Sequence, residues 1–158
     1  MKSFINIFIL LIAFSFSKAQ CDNAPVLNKK IIAFVKSNMN KKVDGGECWD
    51  LAAKALKNVE ANWDGKYEFG KHINDKKDCV YPGDIIQFKG IKLKYKKEKY
   101  IYTEDMSHHT AIVYEVVEKG KYIIADQNTR HSGRKVGTHE FNVEDIIKGS
   151  FKIYRPQN

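Results

Sequence analysis

Apolar residues along this chain change their spacing near its middle, and the change divides it into a helical first part and a stranded remainder. Residues 25–39 place Val26, Leu27, Ile31, Phe34 and Val35 at helical spacing, with Pro25 suited to a first turn. A polar stretch closed by Gly45 and Gly46 leads to a second helix over residues 47–61. There Cys48, Leu51, Ala52, Ala55, Leu56 and Val59 make one apolar face, while Asp50, Lys54 and Lys57 fall on the wet side. Residues 62–82 read as a loop that carries Trp63, Tyr67 and Phe69.

Beyond Pro82 the spacing falls to two. Strands are expected over residues 84–88, 91–95, 110–117, 122–125 and 150–154, with a tight hairpin at Lys119-Gly120. Asp84 reads as a turn residue, and residues 143–148 as a short helix ended by Gly149. Helices first and an antiparallel sheet after them define a single α+β domain.

Residues 1–19 differ in character: Lys2, a mainly apolar run over 4–16, then Ser17 and Ala19 as small residues before an expected cut. The run falls short of the roughly 20 residues that a spanning helix needs. A signal peptide over 1–19, a secreted or periplasmic domain over 20–158 and no membrane span are therefore expected. Loss of Lys2 and Lys18 lowers the formal charge from +8 to about +6, which favours anionic partners. The three cysteines are an odd set for an oxidising compartment. Cys21 in the tail and Cys79 in a polar loop are expected to pair, leaving Cys48 as a thiol.

Cys48 opens a helix, where unpaired N–H groups favour thiolate over thiol and can also hold an oxyanion. By itself it reads better as a buried structural cysteine. A thiolate nucleophile needs a base, and His109 at the open end of the strand in "HHTAIVYEV" offers one. A hairpin turning tightly at Lys119-Gly120 sets Asp126 opposite Val113, Arg130 opposite His109 and Asn128 diagonal to it. Those positions share the His109 face, and Gln127 points away. Asp126 or Asn128 would then orient the imidazole.

"GGECWDLA", "YPGDIIQF", "HHTAIVYEV" and "IADQN", in that order, resemble the CHAP family of cysteine- and histidine-dependent amidohydrolases and peptidases. The resemblance implies a papain-like, NlpC-type α+β fold, Cys48 as nucleophile, His109 as base, and Asp126 and Asn128 as polar partners. It also implies cleavage of amide bonds through a thioester, typically in bacterial peptidoglycan. A monomer without cofactor or metal is expected. Two positions depart from the family pattern. Asp126 stands where the family has glutamate, and His108 where it has glycine, which makes His108 a rival base. His109 is preferred because it directly precedes Thr-Ala-Ile-Val.

Other readings compete. Cys48, Cys79, His108, His109, His131 and His139 show no Cys-x-x-Cys or His-Glu-x-x-His spacing, so a zinc centre is not expected. "GIKLKYKKEKYIY", residues 90–102, reads as an edge hairpin whose lysines block association, so no nucleic-acid partner is expected. A non-catalytic binding module for cell wall or another anionic polymer remains an alternative, as does a toxin or effector peptidase.

Overall fold

The computed structural model describes Cys21 and residues 23–158, and the expected signal peptide lies outside the described residues. Helices α1 (Val26–Ser37) and α2 (Cys48–Asn58) come first. They are followed by β1 (Lys71–Ile73), β2 (Ile85–Lys97), β3 (Tyr100–Glu118), β4 (Lys121–Asp126), β5 (Gly137–Asn142), a single 3-10 turn (Val143–Asp145) and β6 (Ile146–Arg155). The strands form one antiparallel sheet in the order β1-β6-β2-β3-β4-β5. This is the α+β arrangement that the order of elements implies.

Alternation along the strands sends side chains into two separate cores. On one face Ile85, Ile112, Ala125 and Tyr154 meet Ile31, Val35, Leu51, Ala55 and Leu56 of the helices. On the other, Ile86, Phe88, Val113, Ile124, Phe141 and Ile153 pack among themselves. Phe141 of β5 touches Phe88 of β2 and Phe151 of β6, at centroid distances of 5.0 and 5.8 Å. Because three strands lie between β5 and β6 in the sheet, that contact requires the sheet to curl and enclose its second core. Trp49 and Trp63 pack half-buried against the helix-side core and Phe69 is fully buried, whereas Tyr67 stays exposed.

Several expectations are corrected. The segment over 143–148 is not a helix: after one 3-10 turn, Ile146 already pairs with Leu93 as part of β6. Sheet pairing overrides a helical pattern that spans less than two turns. The expected strands over 84–88 and 91–95 are one strand, β2, which turns at Glu98 and Lys99 in keeping with the hairpin expected over 90–102, whereas β3 starts at Tyr100, ten residues before its expected beginning. β1 and β5 were not expected. The β3–β4 ladder starts as foreseen with Glu118 opposite Lys121, but irregularities between Val116 and Glu118 and between Val113 and Glu115 shift it by two residues. Ala125 consequently faces Ile112, and Arg130 is not opposite His109; its guanidinium bonds Glu104 and Tyr95 instead.

Two features fasten the chain ends to this frame. Cys21 and Cys79 form a disulfide across 58 residues of sequence, and Cys48 is free. Asp84 is more than a turn residue. Fully buried, it accepts from Asn28 of α1 at 2.8 Å, from the Tyr81 N–H at 2.9 Å and from the Arg155 guanidinium at 2.8 and 3.1 Å. Gly83 beside it has φ +90, and an added Cβ would lie 2.5 Å from the carbonyl oxygen of Asn28, so only glycine lets α1 approach this turn. Among the described residues no helix is long and apolar enough to cross a membrane.

Candidate active site

The backbone delivers Cys48 to the first position of α2. Gly46 precedes it at φ +82, a conformation that side chains disfavour. The Glu47 N–H donates to the Asp50 carboxylate at 3.0 Å, which fixes the first turn. Gln127, the residue after β4, reaches across to the same loop. Its amide nitrogen donates to the carbonyls of Val43 at 3.0 Å and Glu47 at 2.8 Å, and its oxygen accepts from the Val43 N–H at 3.2 Å. The helix start is thereby tied to the sheet through three buried or half-buried bonds.

Cys48 is half-buried and His109 is buried. Nε2 of His109 lies 2.7 Å from Oδ2 of Asp126, a carboxylate with no exposed surface. With Nε2 engaged, Nδ1 is the nitrogen left to face the Cys48 sulfur, whose interaction with the imidazole helps raise the His109 pKa. Burial opposes charge on the imidazole, yet the bond to Asp126 and the contact with Cys48 outweigh it and lift the His109 pKa from 6.5 to about 9. Burial likewise pushes the thiol up. The His109 imidazolium, together with N–H groups of Thr110 and Trp49, overrides that and brings the Cys48 pKa below its ordinary 9.0. The Thr110 N–H lies just beyond Ile112–Ala125, where the β3–β4 ladder ends. Sulfur and imidazole therefore favour the thiolate–imidazolium form.

Three of the four expected site residues form this one chain: Cys48, His109 and Asp126. Asn128 lies in the same cleft, but its amide donates to the Glu47 carboxylate at 2.5 Å, and the His109 ring takes Asp126 instead. Its φ of 62 turns the chain out of the β4 line, so counting by alternation does not reach it. His108, the rival base, is exposed and sets its ring edge-on to Tyr67 at 4.3 Å. The cleft, about 330 Å³, is walled by residues 103–109 of β3 and by 128–131 and His139. Glu104 on that wall is held by Arg130, Tyr95 and, at 3.3 Å, His131. Among the described residues no three His, Cys, Asp or Glu side chains are grouped to hold a metal ion.

Sequence reasoning missed Gln127 and His139. Gln127 was rightly placed away from His109, but its partners are backbone atoms 80 and 84 residues earlier and leave no local signal. His139 sits on β5, a strand that was itself not foreseen.

A half-buried cysteine at a helix start, facing a histidine and a buried carboxylate on an antiparallel sheet, places the domain among papain-like cysteine proteinase folds. The family it matches is described as the AIM3/BBC1 cysteine proteinase-fold domain, over residues 25–158. The chain belongs to that family. No curated protein sequence matches it. Among solved structures, the chain is similar to "The crystal structure of Ly7917", with 14% identity, a TM-score of 0.45 and coverage of 80% of this chain and 62% of the other. It is also similar to "The crystal structure of Ly7917 with the hydrolyzing product of MDP", with 13% identity, a TM-score of 0.49, and coverage of 82% and 62%. The chain thus spans less than two thirds of those neighbours.

Proposed function

We propose that this domain is a CHAP-type cysteine amidohydrolase or endopeptidase that is exported and cuts amide bonds in peptidoglycan or a related anionic polymer. The observation that carries this reading is the chain Cys48–His109–Asp126, with the sulfur outside the disulfide and open to a cleft.

In the proposed reaction the Cys48 thiolate attacks the carbonyl carbon of the amide. Negative charge moves to the carbonyl oxygen, where N–H groups at the start of α2 receive it. His109 then gives its proton to the leaving nitrogen as the C–N bond breaks, and a thioester remains. The neutral imidazole next takes a proton from water, whose oxygen attacks the thioester. Thiolate leaves, and the imidazolium is restored. Asp126 keeps the ring oriented and its charge compensated throughout. The positive net charge, the leader-like first residues and the Cys21–Cys79 disulfide support export and an anionic target.

The test is digestion of purified peptidoglycan by wild type and by Cys48→Ala, with fragments read by mass spectrometry. New amine and carboxyl ends with wild type alone are expected, and their masses name the bond. Identical fragments from both proteins, or none from either, would leave the fold as a binding module.

A further inference from the structure

His139 belongs to no part of the reaction above, yet it faces the same carboxylate as His109. The β4–β5 register sets Ile124 opposite His139 and Asp126 opposite Gly137, so His139 and Asp126 are diagonal neighbours on one face of the sheet. Nδ1 of His139 lies 3.5 Å from Oδ1 of Asp126, the oxygen that His109 does not use. Among the described residues, neither of these two buried atoms has a hydrogen-bond partner. A bare nitrogen facing a carboxylate oxygen would set lone pair against lone pair, whereas a proton on Nδ1 satisfies both atoms.

We propose that His139 is a positioning residue for this site: neutral, with its proton on Nδ1, it donates to Oδ1 of Asp126 and so holds the carboxylate that orients His109. A carboxylate bonded on one oxygen can rotate about its terminal torsion, and one held on both cannot. The surroundings keep this imidazole neutral. Burial and the nearby His131 and His109 disfavour its charged form, and they outweigh Asp126 and Glu104, so its pKa lies below 6.5. The His131 ring stacks on it at 4.5 Å and is steadied in turn by Glu104, which closes the cleft side.

The inference rests on Cys48, His109 and Asp126 being the reacting centre, but its test needs no substrate. In wild-type protein at pH 7, nitrogen NMR of the imidazoles should find His139 protonated at Nδ1 and bare at Nε2; the opposite tautomer overturns the proposal. His139→Gln keeps an N–H donor and His139→Leu does not. Alkylation of Cys48 by iodoacetamide at pH 6 should be roughly 10-fold slower in His139→Leu and within about 3-fold of wild type in His139→Gln. Equal losses in both variants, or no loss in His139→Leu, contradict it. If circular dichroism shows that His139→Leu does not fold, the wild-type tautomer decides. A wild-type Cys48 no more reactive than a free cysteine would instead overturn the underlying reading of the site, and this inference with it.

Discussion

His109 and Asp126 share a 2.7 Å hydrogen bond in a part of the sheet that water scarcely reaches, 17 residues apart in sequence and on adjacent strands. Removing the negative charge while keeping the shape should expose what that bond does. Asp126→Asn is expected to lower Cys48 alkylation at pH 6 and any amide turnover by ~100-fold or more, as loss of the orienting carboxylate does in comparable triads. The melting temperature reports whether the fold survives. Unchanged reactivity would remove Asp126 from the site.

The paired pKa shifts of Cys48 and His109 have opposite effects on stability. His109 binds its proton more tightly folded than unfolded, so its contribution is complete below pH 6.5 and is lost as pH rises through about 9. Cys48, with its pKa lowered from 9.0, contributes above pH 9.0 and loses that contribution as pH falls. Between these limits the two oppose each other. Cys48→Ser removes the second while Asp126 still raises His109. The variant's melting temperature should therefore fall more steeply than that of wild type from pH 6.5 to 9. Each retained pKa unit is worth ~1.4 kcal/mol, or roughly 4–5 °C in a domain of this size. Parallel curves would contradict the ion pair.

Asp84 and Arg155 anchor the C-terminal strand to the turn before β2, with Asn28 of α1 on the same carboxylate. Arg155→Ala strands a buried charge and should cost about 3–5 kcal/mol, measured by denaturant unfolding. A loss below about 1 kcal/mol would mark the pair as an ordinary surface contact.

The Cys21–Cys79 bridge restrains the unfolded chain across 58 residues. The chain-entropy relation gives roughly 4 kcal/mol for a loop of that length. Replacing both cysteines by serine should lower the melting temperature yet leave Cys48 alkylation at pH 6 unchanged, since the bridge lies outside the cleft. Loss of Cys48 reactivity in the folded variant would mean that the bridge shapes the site.

Much of this molecule is legible in residue order alone. Ile31, Val35, Leu51, Ala55 and Leu56 announce both helices because one face of each meets the sheet and the other meets water. Cys48 is legible because a helix start is where such chemistry can reach a cleft. His109 was expected at a strand's open end but lies in the middle of β3, so only its face was read correctly. What fails is what depends on partners far away in sequence. Residues 137–142 hold only Phe141 as a fully buried side chain, so β5 lacks a clear alternation and His139 goes unplaced. Ile146 looks helical until Leu93 of β2 is there to pair with it. Asp126 was placed on the correct face for an incomplete reason. Two one-residue shifts in the ladder leave its parity unchanged, and the same shifts invalidate the position assigned to Arg130.

The most direct measurement is the pH dependence of Cys48 alkylation by iodoacetamide in wild type and in His109→Ala. If imidazolium holds the sulfur ionised, wild type reacts near its full rate at pH 6, and His109→Ala falls by at least ~10-fold there and recovers only toward the pKa of an ordinary thiol. Superimposable profiles, both rising only near pH 9, would show a plain cysteine beside an uninvolved histidine.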